Sequence, residues 1–180
     1  PTYILSKMTK DNVTVALSGD GGDELFGGYN RYGLAPDIWK YIGSFPQYSR
    51  KLFSKLIQTL SPSAYNNIFE PIQSFLPERI AQANAGDKIH KIASILDSDS
   101  KYDLYQRILR MWQLNTKIIK GDLNDIIGGP ASEKMIGDNF IHYMMAVDMM
   151  NYLPDDILVK VDRAAMSVGL ETRVPFLDVD

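Results

Sequence analysis

The stretch VTVALSGDGGDELF constrains this chain more than any other. Val13 to Leu17 form a short β-branched apolar run, preceded by Asp11-Asn12 and closed by Ser18-Gly19, as expected of a strand buried in a parallel sheet. Directly behind it, SGDGGDELFGGYNRY (Ser18 to Tyr32) interleaves glycines with Asp20, Asp23 and Glu24 before an aromatic-rich segment. A strand that passes through a glycine turn into a helix is the α/β layout. It is the one strand that the pattern marks clearly.

Helices are expected almost everywhere else, because from about Pro36 the apolar residues recur at i, i+3, i+4. Ile38, Tyr41 and Ile42 mark one helix, and Leu52, Phe53, Leu56, Ile57 and Leu60 a second that Pro62 stops. Ile89, Ile92, Ala93 and Leu96 mark a third; Leu104, Ile108, Leu109, Met111 and Trp112 a fourth. Gly128 to Ser132 read as a loop. Phe140 to Asn151 is apolar nearly all round, as in a helix buried in a bundle. Pro154-Asp155-Asp156 signal the start of a last helix, with Ile157, Leu158, Val161, Ala165 and Val168 as its apolar stripe and Gly169 as its stop. Its other face carries Asp156, Lys160, Arg163 and Ser167 in one polar ridge, with Asp156 and Lys160 spaced to pair. The expected architecture is α/β but predominantly helical: one or a few parallel strands with a helical bundle.

Composition excludes several classes of function. In 180 residues, 19 Lys+Arg stand against 22 Asp+Glu, a formal charge of −3, so a strongly basic nucleic-acid binder is ruled out. Cysteine is absent, which removes a disulfide framework, a thiol nucleophile and a thiolate zinc site from this segment and points to a reducing cytoplasm. The longest apolar stretches, such as 141–147, fall well short of the ~20 residues needed to cross a bilayer, so no membrane partner is expected. The first residue is Pro1, not Met, and the chain is expected to be a piece of something longer.

The glycine turn fails two phosphate fingerprints. It has no Lys where a P-loop requires one, and Glu24 occupies the third glycine position of the dinucleotide motif. Asp97, Asp99 and Asp103 lack EF-hand spacing and read as a solvated helix start. What remains is a Ser-Gly pair at the carboxyl end of a strand, where open α/β sheets place ligands. Glycines let backbone N–H groups approach an anion, while Asp20, Asp23 and Glu24 would repel a bare phosphate unless a divalent cation lay between. The residues alone leave two readings open: a Mg²⁺-nucleotide site, or a tight turn with acidic helix-capping residues. Lys160 and Arg163 form either a charge-stabilising ridge or a solvated face. Asp148, alone in an apolar helix, reads as a satisfied buried carboxylate, and Trp39 and Trp112 read as core.

Two stretches, ALSGDGGDELFGGYNRY (Ala16 to Tyr32) and YLPDDILVKVDRAAMSVGLETRVPFLD (Tyr152 to Asp178), resemble the synthetase domain of glutamine-dependent asparagine synthetases. The resemblance implies an ATP pyrophosphatase domain of the adenine-nucleotide α-hydrolase-like kind. Such a domain activates a carboxylate as an acyl-adenylate, which ammonia then attacks. On this resemblance Ser18, Gly19 and Gly21 lie against the nucleotide. Asp20 stands where many members carry Glu, a carboxylate tied to forming and aminating β-aspartyl-AMP, and Asp23 resembles a carboxylate holding Mg²⁺ on the pyrophosphate. A cation in the last helix stabilises phosphate charge; alignment back from RVPFLD places Arg163 there, with Lys160 one turn earlier.

The family's Ser-Gly-Gly-x-Asp-Ser pyrophosphate loop and its glutamine-hydrolysing Cys do not occur in these residues. Residues 1–180 are therefore expected to be the C-terminal portion of a synthetase domain, inactive alone. ATP and Mg²⁺ are the implied cofactors, aspartate or another small carboxylate the acceptor, and a glutaminase domain of the same polypeptide the ammonia source. A homo-oligomer is compatible with the sequence. The alternatives are a sibling ligase, forming a β-lactam or aminating a sugar or peptide, or a non-catalytic helical interaction module. Intact Asp20, Asp23 and the cationic ridge speak against the last.

Overall fold

The computed structural model describes residues 1–69, 85–109 and 139–178. The chain divides into two compact units, Pro1–Leu34 with Ile119–Asp180, and Ala35–Ile118. Met111, Trp112 and the expected loop Gly128 to Ser132 lie outside the described residues.

In the first unit, α1 (Thr2–Lys10) leads to β1 (Val15–Leu17), the short helix α2 (Gly22–Phe26) and the start of α3 (Asn30–Ile42). The chain returns through α8 (Phe140–Val147), a π-type stretch (Asp148–Leu158), α9 (Val159–Met166), β2 (Glu171–Arg173) and a 3₁₀ turn (Pro175–Leu177). The two strands pair in parallel, Val15 opposite Glu171, Ala16 opposite Thr172 and Leu17 opposite Arg173. The expected strand is present but shorter than Val13 to Leu17, and it is not buried, since Val15 is 39% and Leu17 75% exposed. Among the described residues β1 has one strand neighbour, β2. The core lies instead among the helices: Tyr32, Tyr143, Met144, Val147, Leu153, Ala165 and Leu170 are buried.

The helix expected to open at Pro154 does not open there. Winding is continuous from Phe140 to Met166, and Asn139 caps its start, its side-chain oxygen accepting from the N–H groups of Ile141 (2.9 Å) and His142 (3.3 Å). Across Asp148–Leu158 the bonds widen to π register, and this run accommodates Pro154, whose missing N–H would interrupt a regular i→i−4 ladder. The wider turn also changes the spacing of Asp156 and Lys160. The expected ion pair between them is absent; both are exposed. Gly169 closes α9 as expected, at φ +71°, with Leu170 N–H reaching back to the Ala165 carbonyl at 3.0 Å.

The second unit is helical: the end of α3, then α4 (Gln47–Gln58), α5 (Pro62–Phe69), α6 (Ala85–Leu96) and α7 (Lys101–Leu109). The helix expected to run through Leu60 to Pro62 ends earlier, at Gln58 with Thr59 as its cap, and Pro62 instead opens α5, where its missing N–H costs nothing. α4 packs on α6 through polar residues, contrary to what its apolar stripe suggests. Buried Ser54 donates to the Ala93 carbonyl at 2.7 Å, and buried Arg50 donates to the Ser98 carbonyl at 2.7 Å at the negative end of α6. Leu52, Phe53 and Leu56 are left exposed. Trp39 is half-buried, its ring 5.3 Å from the Arg50 guanidinium. The aspartates that mimic a calcium loop are engaged by cations: Arg107 with Asp103 (2.8 Å) and Asp97 (3.3 Å), Lys51 with Asp99 (3.0 Å). Lys51 and Gln47 hold the Asp99 carboxyl below its usual range.

Candidate active site

Strand pairing fixes the glycine turn from below. Ser18 N–H donates to the Arg173 carbonyl at 2.8 Å, extending the parallel ladder one residue past Leu17. Ser18 Oγ donates to Asp20 Oδ2 at 2.6 Å, so the two residues expected to act on substrate meet at the carboxyl end of β1. Beside them Gly19 is exposed, with nothing within 4 Å of where a Cβ would stand. A ligand's anionic group could approach that backbone closely.

The far side of the turn is covered by the segment after β2. Gly21 sits at φ +84°, and a Cβ there would come within 2.8 Å of Leu177 Cδ2. Beyond Gly22, Phe176 meets Phe26 edge to face at 5.6 Å. The RVPFLD segment, more than a hundred residues away in sequence, is thus the lid on the glycine turn's closed face. Gly21 therefore lines the protein side of the turn, while Gly19 lines the open side.

The three acidic residues of the turn separate. Asp23 is exposed on the first turn of α2. Glu24 points the other way and is 1% exposed, accepting from Tyr29 Oη at 2.7 Å. Burial and this carboxylate push the Tyr29 phenol well above its ordinary value. Glu24 thus belongs to the interior and not to the anion-facing group in which the sequence placed it.

Around Tyr29 lies a network that sequence reasoning missed. The Arg31 guanidinium stands 4.0 Å from the Tyr29 ring and 4.8 Å from that of Tyr152, and it pairs with Asp148 at 2.7 Å. Tyr32 Oη donates to the same Asp148 oxygen at 2.6 Å. Asp148 is fully buried, as its apolar surroundings in sequence suggested. The available signal was the aromatic-Arg-aromatic run Tyr29, Arg31, Tyr32; its partner 116 residues away from Tyr32 carried none.

Lys160 and Arg163 are both exposed on α9, and neither side chain makes a hydrogen bond or ion pair with a described residue. α9 packs against α1, β2 and the π-type stretch. The structure thus brings Ser18, Gly19, Asp20 and Gly21 together in one turn, places Asp23 on the helix that follows it, and leaves the two cations free on another helix of the same unit.

The family model for asparagine synthase matches residues 1–180. The chain belongs to the asparagine synthase family. Members have the adenine-nucleotide α-hydrolase-like fold, consistent with the parallel strand pair among helices. Similar proteins include an asparagine synthetase [glutamine-hydrolyzing] 1 of Bacillus subtilis (strain 168), 29% identical over 99% of this chain and 25% of the relative. A putative asparagine synthetase [glutamine-hydrolyzing] 2 of Methanocaldococcus jannaschii is 31% identical over 98% of the chain and 30% of its own length. One from Mycobacterium bovis is 28% identical over 99% and 24%. The chain therefore spans roughly a quarter to a third of these relatives. No solved structure matches it.

The donor set also bears on the cation that this family implies. Among the described residues no three His, Asp or Glu side chains converge into a protein cage for a metal. Mg²⁺ commonly takes one or two carboxylates and completes its shell with phosphate oxygens and water. An exposed Asp23 beside an open glycine turn fits that arrangement.

Proposed function

We propose that this chain is the C-terminal portion of the synthetase domain of an ATP-dependent amide ligase. In this reading aspartate is adenylated by Mg²⁺-ATP, then aminated by ammonia from a glutaminase domain to give asparagine. The observation that carries it is the Ser18–Asp20 pair at the end of β1, beside the open backbone of Gly19, in a chain matched end to end by the family model. A cysteine-free chain that uses ATP suits the cytoplasm, and no helix among the described residues is long and apolar enough to cross a membrane.

Each residue has a chemical task. Ser18 and Gly19 bind the nucleotide on the open side, and Gly21 shapes the turn that presents them. Asp23 holds Mg²⁺, which when bound neutralises charge on the departing pyrophosphate. Ammonia attacks the acyl carbonyl, and the nitrogen so formed must lose a proton as AMP leaves. Asp20 accepts that proton. Arg163, with Lys160 as the other candidate, stabilises negative charge on the phosphate; an unpaired exposed cation is available for such a task without breaking a structural contact.

The test is carried out on the protein at its full natural length. Asp23→Asn should depress aspartate-dependent release of AMP and pyrophosphate far more than it raises the KM for aspartate, because charge on the leaving group grows toward the transition state. Unchanged turnover would assign Asp23 to helix capping. Release driven by another carboxylate, and not by aspartate, would make the protein a sibling ligase. The isolated 180-residue chain should bind Mg²⁺-ATP weakly or not at all.

A further inference from the structure

Asp23 is the second residue of a helix of five residues, too short to hold its own orientation. Its surroundings hold it instead. The N–H groups of Gly27 and Gly28 both turn back to the Asp23 carbonyl, Gly27 at φ +70° and Gly28 at 2.9 Å, so the loop after α2 wraps around Asp23. The Asp23 carboxylate then lies directly over the Cα of Gly28. A Cβ at position 28 would clash with Asp23 Oδ1 and come within 3.0 Å of its Cγ and 3.2 Å of its Cα. Gly28 is not in the left-handed region, so it is the space over its Cα and not its backbone conformation that requires glycine. The next residue, Tyr29, closes the loop by its hydroxyl bond to buried Glu24, and its ring is backed by Arg31.

We propose that Gly28 and Tyr29 are positioning residues for Asp23: the missing side chain at 28 makes room for its carboxylate, and the Tyr29–Glu24 bond keeps the loop closed around it. This rests on the assignment of Asp23 to the metal. The consequence is specific. Loosening either residue should weaken the divalent cation's hold while sparing the acceptor, and excess cation should restore the rate.

Gly28→Ala, Tyr29→Phe and Asp23→Asn are compared in the full-length protein. Free Mn²⁺ is read by electron paramagnetic resonance with ATP present and aspartate withheld, alongside the Mg²⁺ midpoint for pyrophosphate release, the KM for aspartate and the thermal midpoint. Gly28→Ala should raise the Mn²⁺ midpoint about tenfold and Tyr29→Phe about threefold, with the aspartate KM unchanged and the rate recovered at high Mg²⁺. Asp23→Asn should raise the Mn²⁺ midpoint more than either, without recovery. If Asp23→Asn shifts the Mn²⁺ midpoint and the other two lower only the thermal midpoint, the positioning role is refuted and the metal assignment stands. If Asp23→Asn leaves metal binding unchanged, both fall. Two independent variants keep the test informative should one of them not fold.

Discussion

Alanine substitution at three glycines of the first unit separates backbone strain from packing. At Gly21 the left-handed conformation costs a non-glycine residue about 1–2 kcal/mol. The new Cβ also meets Leu177 Cδ2 at 2.8 Å, adding about 1 kcal/mol, the low end for overpacking because Leu177 is only half-buried and can swing outward. Restricting the unfolded chain returns roughly 0.4–1 kcal/mol, so the net cost is about 2 kcal/mol. Gly169 shares the positive φ, but its nearest neighbour is the mobile end of Lys10 at 3.9 Å, so only the backbone cost remains and the net is about 1 kcal/mol or less. Gly19 has neither feature, and Gly19→Ala should be neutral or slightly stabilising while obstructing the face where a nucleotide would approach. Among the described residues the tryptophan is Trp39, which belongs to the second unit, so its fluorescence would report the wrong half. Amide hydrogen exchange at Leu25 and Ser18, bonded to Gly21 and Arg173, reads the first unit directly. At 1.4 kcal/mol per decade, protection should fall about thirtyfold for Gly21→Ala and about fivefold at most for Gly169→Ala. Equal losses at the two positions would show that Leu177 does not press on the glycine turn, and the coupling between the two sequence motifs would be wrong.

Three other outcomes are expected. Asp148→Ala should cost roughly 3 kcal/mol, since it strands the partly buried Arg31 and the Tyr32 hydroxyl, and adding Arg31→Met should recover part of that loss; a harmless Asp148→Ala in the same exchange assay would contradict it. Because the Tyr29 phenol is raised in the folded state, its contribution to stability is complete below the ordinary phenol value of about 10 and fades as pH rises beyond it. Urea titrations from pH 8 to 11 should therefore show a steeper alkaline loss for the parent than for Tyr29→Phe. Arg163→Ala should lower turnover by several powers of ten with Lys160→Ala nearly normal, and both should keep folding stability within about 0.5 kcal/mol because neither side chain is bonded. The reverse ranking of rates would exchange their roles and leave the mechanism in place.

Local chemistry makes much of this protein legible in its sequence. The β-branched run into Ser18-Gly19 located the strand and the turn, because a strand's preference and a glycine's freedom are properties of neighbouring residues. The helical periods after Pro36, the Pro62 start of a helix and the Gly169 stop were readable for the same reason, and so was the nearness of Ser18 and Asp20 at the turn. Tertiary structure decided what depends on distant partners. It brought Arg173 beside Ser18 and Leu177 onto Gly21, which no local rule relates. It turned Glu24 inward, although Asp23 and Glu24 are adjacent acids with the same local preferences, because only one of the two directions met the Tyr29 hydroxyl. It ran the helix through Pro154 in a wider winding, overruling a start signal that holds only when the preceding turn is free to end. It also made α4 bury Arg50 and Ser54 in place of its leucines, since the carbonyls of Ala93 and Ser98 on and beyond α6 offered those side chains partners that the sequence of α4 does not contain.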